Sequence, residues 1–215
     1  MRFNVEGIIV ATVTPFTKGG EFVDYDKIAP LVDRMIKKGA AGLFPCGTTG
    51  EGPLCNPEER TTILEETVQA AGKKAYVVAH TGGSDTATTI ELTRHAQESG
   101  ARAAGIVTPS FYGYDDAALE LYYKTIAKAV PGFPILLYNI PSCAKNALSA
   151  ELIQKLSDAH ENIVGIKDSS GSMPLLTRLF GQASKDFHVI NGADEQGFQA
   201  LVAGGKAVVS GSSNA

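Results

Sequence analysis

The sequence has no tryptophan and only three cysteines among its 215 residues. Cys46, Cys55 and Cys143 are odd in number and widely spaced, which argues against a disulfide framework or a cysteine metal site. This usage is typical of a reducing cytoplasm. Cys46 and Cys143 each stand near a candidate active-site loop, so a reactive thiol is an alternative to small apolar packing at these two positions.

Long hydrophobic runs and clusters of one charge are also missing. No apolar run approaches the ~18 residues of a membrane span, and the N-terminus lacks the basic and apolar regions of a signal peptide. The 19 basic and 23 acidic side chains form no Lys/Arg cluster, which argues against a nucleic-acid or acidic-membrane surface. We therefore expect a soluble cytoplasmic protein whose partners are small molecules.

Short β-rich apolar runs recur along the whole chain, and segments of helical period separate them. Near-continuous apolar strands joined through helices are typical of a parallel sheet, and eight such units close a barrel. We predict an α/β fold, a (β/α)8 TIM barrel formed as a single domain by residues 1–215, with a doubly wound open sheet as the alternative. The runs begin near Gly7, Ala41, Ala75, Ala103, Phe133, Asn162, Phe187 and Lys206.

The helical segments carry their own boundary signals. One segment, 24–38, ends at Gly39 and another, 84–99, ends at Gly100, and glycine is the common residue just past a helix. The run Asn56-Pro57-Glu58-Glu59 supplies an N-cap, a first-turn proline and early acids. These boundaries agree with the spacing of the predicted strands.

A lysine stands at the end of the sixth predicted strand. The apolar run 162–167 ends at Lys167, and Asp168 follows at once. An amine in an apolar wall is driven toward its neutral, nucleophilic form, which can condense with a ketone. The alternative is an ordinary strand-end lysine that pairs with Asp168.

Barrels of this kind concentrate their chemistry on the loops that follow the strands. The loop after strand two, Gly47 to Gly52, offers two hydroxyls and several flexible N–H groups, which suits a carboxylate. It lacks the lysine of a phosphate-binding loop, and the Gly82-Gly83 turn lacks the rest of a dinucleotide fingerprint. A plain glycine-threonine turn is the structural alternative.

Three motifs occur in order after strands two, five and six, and they connect these loops. By these motifs the chain resembles the dihydrodipicolinate synthase and N-acetylneuraminate lyase family, whose members are pyruvate-dependent class I aldolases. The resemblance extends from Gly7 to the end of the chain. The motifs are Gly47-Thr48-Thr49-Gly50-Glu51, Tyr138-Asn139-Ile140-Pro141 and Gly165-Ile166-Lys167-Asp168.

The resemblance implies a role for several residues. Lys167 would form a Schiff base with pyruvate, and Tyr138 would shuttle protons, linked to solvent by Thr48. The carboxylate of pyruvate would bind Thr48, Thr49 and their backbone amides, and the Val209 carbonyl would border the imine. A barrel-top tyrosine with a solvated hydroxyl is the structural alternative for Tyr138.

Two departures from the family pattern concern the aldehyde side. The synthases usually carry an arginine two residues after the proline of the second motif, and this chain has Cys143, which cannot make a bidentate carboxylate contact. Lys145 nearby is a substitute point charge or a solvated loop residue. The second relay tyrosine of the family, contributed by a neighbouring subunit, aligns with Phe111, and Tyr112 replaces it if the loop shifts by one residue.

The loop after strand seven resembles that of the lyase branch. Its acid pair, Asp194 and Glu195, would accept hydrogen bonds from sugar hydroxyls beside Gly192, and Ser169 would face the same pocket. The alternative is that Asp194 and Glu195 are simply acidic residues in the first turn of the helix that follows, a position that favours acids. We therefore expect an enzyme, a carbon–carbon or carbon–oxygen lyase that acts on 2-keto-3-deoxy sugar acids or sialic acid. The alternatives are 4-hydroxy-tetrahydrodipicolinate synthase, which joins pyruvate to aspartate semialdehyde, and a non-catalytic pyruvate-binding barrel.

Three further expectations follow. The four histidines have no ligand spacing and an imine replaces a metal as electron sink, so we predict no metal and no organic cofactor. The resemblance suggests a homotetramer built as a dimer of dimers. The family normally continues beyond strand eight into an eighth barrel helix and a helical extension, so the chain looks cut off there, with the outer face of strand eight left exposed.

Overall fold

The computed structural model describes residues 4–182 and 186–215. Eight parallel strands form a closed barrel in sequence order, and β8 pairs with β1 to complete it. The predicted TIM barrel is confirmed, and the open-sheet alternative is excluded. The strands are β1 (Gly7–Val10), β2 (Gly42–Leu43), β3 (Tyr76–His80), β4 (Ala103–Val107), β5 (Ile135–Asn139), β6 (Ile163–Asp168), β7 (His188–Asn191) and β8 (Ala207–Ser210).

Every connection between successive strands contains a helix, and the connection from β5 to β6 contains two. Each predicted strand start agrees with the structure to within two residues. No helix among the described residues is long and apolar enough to cross a membrane. The helices are α1 (Ile28–Lys37), α2 (Pro57–Ala71), α3 (Thr86–Glu98), α4 (Asp116–Ala129), α5 (Pro141–Ala144), α6 (Ala150–Ala159), α7 (Met173–Gln182) and α8 (Gly197–Val202).

The helix boundaries follow from local hydrogen bonding. Asn56 caps α2 by accepting from the Glu59 amide over 2.9 Å, and the Glu59 carboxylate accepts from the Asn56 amide over 2.8 Å. The α3 helix begins at Thr86, two residues later than predicted, because the Asp85 side chain accepts from the Thr88 amide and so caps the helix.

The first predicted helix also starts late. Residues 25–27 form a 3₁₀ turn, and the α-helical hydrogen bonding of α1 begins at Ile28. At the other end, Gly39 follows α1 with a φ of 99°, and Gly100 follows α3 with a φ of 85°. These left-handed values suit glycine, as the sequence indicates.

Two apolar layers hold the barrel. One lies between the strands and the helices, and residues such as Ile166 and Leu137 face it. The other fills the barrel interior and includes Ile9, Phe44 and Tyr138. Because strand side chains alternate between the layers, Tyr138 and Lys167 point inward where their neighbours point outward.

The expectation that the outer face of strand eight is exposed is wrong. All four β8 residues are buried, and Val208 lies against Gly197 at the start of α8. Exposed apolar side chains are found instead on α8, at Phe198 and Val202. The short α8 helix covers the outer face of β8, and the side of α8 that faces away from the strand is exposed.

Candidate active site

Lys167 lies inside the barrel and is only 4% exposed. Its Nζ donates a hydrogen bond to Ser169 Oγ over 3.0 Å. The same atom lies 3.4 Å from the centroid of the Tyr138 ring and 5.1 Å from that of the Phe44 ring. The amine is therefore surrounded by ring faces and one hydroxyl.

Burial lowers the pKa of Lys167 well below its usual value, although the charges of Asp168 and Asp194 oppose the shift. The two ring faces also favour the charged amine, and such cation–π attraction is worth ~2 kcal/mol in a desolvated site. Removing an ammonium ion from water costs several kcal/mol even after relaxation. Desolvation is thus the larger effect, and it favours the neutral, nucleophilic amine.

Asp168 does not pair with Lys167 in the described part of the chain. Its carboxylate accepts from Asn139 Nδ2 over 2.6 Å and from Ser170 Oγ over 2.8 Å. Burial raises the pKa of this carboxyl, while the Asn139 and Ser170 hydrogen bonds oppose the rise. The alternative reading of Lys167 as one half of a strand-end ion pair is therefore wrong, because successive strand residues point to opposite faces.

Tyr138 is brought to Lys167 by strand pairing. The two residues are register partners on β5 and β6. The Tyr138 hydroxyl lies 3.3 Å from Thr48 Oγ1, and Thr48 is exposed. Burial raises the pKa of the Tyr138 phenol, opposed by hydrogen bonds with Thr48 and Ser169. The phenol is therefore protonated at neutral pH and connected to the surface.

The loop after β2 closes on itself. The Glu51 amide donates to the Thr48 carbonyl and the Gly52 amide donates to the Gly47 carbonyl, each over 3.1 Å. Among residues 4–182 and 186–215, the amides of Thr48 and Thr49 donate to no protein acceptor. The loop thus offers two backbone donors and two hydroxyls, the equipment that a carboxylate needs.

Gly192 makes room for the lysine. Its carbonyl accepts from Ser169 Oγ over 3.1 Å. A Cβ added at Gly192 would lie 3.2 Å from Lys167 Nζ and would overlap Ser169 Oγ. Val209 lies on β8 in the same interior layer as Tyr138. Of the residues proposed for substrate, Ser169 contacts the lysine directly.

The acid pair after β7 lies in a turn of its own. Asp194 and Glu195 belong to a 3₁₀ turn that precedes α8, so they are not first-turn acids of that helix. The Asp194 carboxylate accepts from the Ser212 amide over 2.9 Å. Partial burial would raise the pKa of Asp194, but hydrogen bonds with Ser212 and Ser210 outweigh it and lower the pKa. Asp194 thus fixes the loop after β8, and Glu195 is exposed.

The aromatic pair after β4 lies on the surface. Phe111 is 77% exposed and Tyr112 is 65% exposed, and their rings meet edge to face at 4.9 Å. Asn146 fixes this loop, since its Nδ2 donates to the carbonyls of Pro109 and Tyr112. Within one chain, the structure does not bring Tyr112 to the lysine.

A cavity of about 350 Å³ opens beside the tyrosine. Its lining includes Tyr138, Thr48, Ile140 and Cys143. Lys167 is not among the described residues that line it. The cavity is therefore an approach to the tyrosine and not the lysine chamber itself. Lys145 is exposed, and its Nζ reaches the Phe111 carbonyl at 3.5 Å.

The thiols and the possible metal ligands can be placed as well. Cys46 is buried, and burial raises the pKa of its thiol to about 12, so it is an unreactive packing residue. Cys143 is exposed at the cavity. In the described ranges, no group of three or more His, Cys, Asp or Glu side chains could hold a metal ion.

Three residues that lie around Lys167 and Tyr138 were not predicted from the sequence. Phe44 lies under the lysine, and Arg60 and His80 lie behind Tyr138. Phe44 could have been found, because it continues the inward alternation of strand two. No local pattern marks Arg60, whose burial depends on contacts with residues 20 positions away.

The sequence matches the model of a protein family over nearly its whole length. The family is described as the dihydrodipicolinate synthetase family, and residues 4–215 match. A curated relative, the 4-hydroxy-tetrahydrodipicolinate synthase of Sorangium cellulosum (strain So ce56), is 37% identical over 210 residues, which cover 98% of this chain and 69% of the relative. The resemblance drawn from the three motifs is confirmed.

Solved structures share the fold. The chloride-inhibited dihydrodipicolinate synthase from Acinetobacter baumannii, complexed with pyruvate, is 35% identical with a TM-score of 0.93, over 98% of this chain and 72% of that one. A catalytic lysine mutant of the Ruminococcus gnavus sialic acid aldolase is 28% identical with the same TM-score of 0.93, over 100% of this chain and 70% of that one. Both branches of the resemblance are therefore represented among the similar structures.

Proposed function

Because the chain belongs to the dihydrodipicolinate synthetase family of pyruvate-dependent class I aldolases, we propose that it joins pyruvate to an aldehyde through an imine on Lys167. The supporting observation is a buried amine with a lowered pKa that lies against the Tyr138 ring. As the aldehyde we propose aspartate semialdehyde, which makes the reaction that of 4-hydroxy-tetrahydrodipicolinate synthase. The proposal involves no metal and no organic cofactor.

The first step forms the imine. The neutral Lys167 amine attacks the C2 carbonyl carbon of pyruvate, and a C=N bond replaces the C=O bond. The oxygen leaves as water with one proton from the amine and one from Tyr138. The raised pKa of Tyr138 suits this role, since the phenol is protonated and able to donate.

The second step makes the carbon–carbon bond. The Tyr138 phenolate takes a proton from the pyruvate methyl carbon, which gives an enamine, and the enamine carbon attacks the aldehyde carbon. Tyr138 returns its proton to the new alkoxide. Water, or the amino group of aspartate semialdehyde, then adds to the imine carbon, gives a proton to the phenolate and displaces the Lys167 amine. Thr48, exposed and next to the phenol, connects Tyr138 to solvent.

The pyruvate carboxylate is assigned to the loop after β2. The Thr48 and Thr49 amides and hydroxyls are its donors, and the Val209 carbonyl borders the imine. Backbone donors bind the carboxylate without placing a fixed positive charge beside the lysine, where an iminium charge develops. A cation at this position would compete with the developing iminium charge.

The choice of aldehyde partner is based on the names of the relatives. Curated relatives between 33% and 38% identical carry the synthase name. This supports aspartate semialdehyde better than the sugar acids or sialic acid that the sequence favours. A sugar-acid lyase is the second candidate, because Cys143 stands at the cavity where the synthases carry an arginine.

We also propose that a second copy of the chain covers the surface near the cavity. Leu54, Phe111 and Tyr112 are large, exposed apolar or aromatic side chains. Leu54 lies between Pro53 and Cys55, which both line the cavity. A second copy would bury these side chains and could carry its Tyr112 toward the phenol. A homotetramer is the assembly that the family resemblance suggests.

The test is a substrate panel in buffer that contains a chelator. Pyruvate is supplied with aspartate semialdehyde in one set of assays, and 2-keto-3-deoxy sugar acids and sialic acid are supplied for cleavage in the other. Turnover of pyruvate with aspartate semialdehyde that is lost in Lys167→Ala supports the synthase. The Cys143→Arg variant should lower the KM for aspartate semialdehyde, because a bidentate carboxylate contact is restored.

Three outcomes would contradict this proposal. Cleavage of a sugar acid or sialic acid at higher efficiency would select the second candidate. Imine formation without turnover of any aldehyde would identify a non-catalytic pyruvate-binding barrel. Activity that appears only when a divalent metal is added would overturn the imine mechanism.

A further inference from the structure

Two buried polar side chains lie outside the lysine–tyrosine centre and have no part in the proposed reaction. Arg60 on α2 is 8% exposed, and His80 at the end of β3 is 7% exposed. Arg60 Nη2 donates to the carbonyl of His80 over 2.8 Å and to that of Gly82 over 3.0 Å. The same nitrogen lies 3.3 Å from His80 Nδ1.

The arginine fixes the main chain on which the imidazole is carried. Arg60 Nη2 has two hydrogens, and the carbonyls of His80 and Gly82 accept them. Burial lowers the pKa of His80 well below its usual value, and the charges of Arg60 and Lys167 act in the same direction. His80 is therefore a neutral ring.

The ring of His80 packs against the aromatic residues at the lysine. Its centroid lies 5.7 Å from that of Tyr138, with the rings at 86°, and 5.8 Å from that of Phe44. Phe44 and Tyr138 also meet edge to face, at 5.8 Å. The ring faces that Lys167 contacts therefore belong to a cluster of three rings, and His80 is its hydrogen-bonded member.

The main chains of Arg60 and His80 also contact the start of the loop that follows β2. The His80 amide donates to the Pro45 carbonyl over 3.4 Å, and the Cys46 thiol donates to the Arg60 carbonyl over 3.9 Å. Cys46 has a φ of 58°, a left-handed conformation that a non-glycine residue keeps only when its surroundings enforce it. Cys46 immediately precedes Gly47 and Thr48, so its backbone sets where the Thr48 hydroxyl lies.

We propose that Arg60 and His80 are positioning residues for the imine reaction. Arg60 fixes the main chain that carries the His80 ring, and that ring packs edge to face on Tyr138. The main chains of Arg60 and His80 contact Cys46 and Pro45. Together they keep the Thr48 hydroxyl beside the Tyr138 phenol and keep the loop amides in place for the carboxylate. The inference rests on the proposed function for its kinetic consequences, but its structural part stands independently.

The chain offers variants that separate the ring packing of His80 from the main-chain contacts of Arg60. His80→Phe keeps an aromatic ring beside Tyr138, and His80→Leu keeps an apolar side chain without a ring. Arg60→Met removes the donors to the carbonyls of His80 and Gly82. Thr67→Val is the matched control, because Thr67 is a buried polar residue of α2 whose hydroxyl, within the described part of the chain, donates only to the Ile63 carbonyl of the same helix.

The kinetic test compares these variants with the parent for pyruvate turnover. His80→Leu should lower kcat/KM for pyruvate roughly 10- to 100-fold, since misplacement of a catalytic group by about 1 Å has effects of this size. His80→Phe should keep kcat/KM within about threefold of the parent, because a ring still packs on Tyr138. Arg60→Met should resemble His80→Leu. Thr67→Val should lose stability and keep its kinetics.

The structural test is hydrogen–deuterium exchange of residues 46–52 in the same variants. Exchange should be faster in His80→Leu and Arg60→Met than in the parent and near the parent rate in His80→Phe. If parent and His80→Leu have equal kcat/KM and equal exchange in this segment, the positioning role is wrong. If the parent forms no imine with pyruvate, the proposed function fails, and the exchange rates alone decide the positioning role.

Discussion

Tyr138 and Lys167 are register partners on adjacent parallel strands, and the lysine amine lies 3.4 Å from the centroid of the tyrosine ring. The pairing places a proton donor and a nucleophile side by side without any loop between them. Both side chains point inward because their outward neighbours, Leu137 and Ile166, pack in the layer under the helices. The geometry of the centre is therefore set by the barrel itself.

Removal of the Tyr138 hydroxyl should slow both imine formation and the later proton transfers. Tyr138→Phe keeps the ring against Lys167 and removes the hydroxyl that contacts Thr48. We expect turnover to fall roughly 10²- to 10⁴-fold, the usual effect of losing a general acid–base group. Steady-state assays measure turnover, and borohydride trapping measures the imine, which should form more slowly than in the parent.

Tyr123→Phe is the matched control for this change. Tyr123 is a buried tyrosine of α4 whose hydroxyl donates to the Ile106 carbonyl, away from the lysine. Its loss should cost about 1 kcal/mol of stability and leave turnover unchanged. Equal turnover in parent and Tyr138→Phe would remove Tyr138 from the reaction.

The rate of imine formation should become independent of pH well below the usual lysine pKa. Burial lowers the pKa of Lys167, so the neutral fraction saturates at lower pH than for a solvated lysine. Above that pKa the trapping rate with pyruvate should be flat. A rate that still rises about tenfold per pH unit up to pH ~10 would show an ordinary lysine pKa.

Replacement of Lys167 by methionine should stabilise the protein at neutral pH. At pH values between the lowered pKa of Lys167 in the folded chain and its usual pKa in the unfolded chain, the folded chain binds fewer protons than the unfolded chain. Below this pH window, the buried amine therefore lowers the free energy of unfolding. Across the window the parent gains stability as pH rises. We expect an advantage of Lys167→Met on the order of 1–4 kcal/mol at pH ~7, by analogy with other replaced buried charges.

Denaturant unfolding of both proteins, from neutral pH up to the usual lysine pKa of about 10.4, checks this sign. The difference in the free energy of unfolding should shrink as the pH increases. A methionine variant that is less stable than the parent at neutral pH would mean that the amine is well solvated or well paired.

Gly192→Ala should damage the centre through a single methyl group. The added Cβ would lie 3.2 Å from Lys167 Nζ and would overlap Ser169 Oγ. We expect the trapping rate with pyruvate to fall at least tenfold, since a shift of the amine by a fraction of an ångström disturbs its approach to the carbonyl. Time courses of borohydride trapping with pyruvate measure this rate.

Gly181→Ala provides the comparison. Gly181 is a helical residue of α7, and a Cβ there would meet none of the described residues within 4 Å. It should stabilise the helix by up to ~1 kcal/mol and leave the trapping rate unchanged. If Gly192→Ala and Gly181→Ala have the same trapping rate with pyruvate, the close approach of Gly192 to Lys167 does not affect imine formation.

Periodicity predicted the barrel, because strand and helix segments differ in the spacing of their apolar residues. The order of three motifs indicated Lys167, Tyr138 and Thr48, which the structure brings together. Other features depend on contacts between distant residues, which no local pattern encodes. The partners of Asp168, the cap that Asp194 makes on the loop after β8, and the burial of Arg60 are of this kind.

The most direct test of the account is intact mass after incubation with pyruvate and borohydride, for the parent and Lys167→Ala. The account predicts one reduced pyruvate adduct on the parent and none on the variant. An adduct that persists in Lys167→Ala would place the imine on another lysine. No adduct on a folded parent would contradict the imine mechanism altogether.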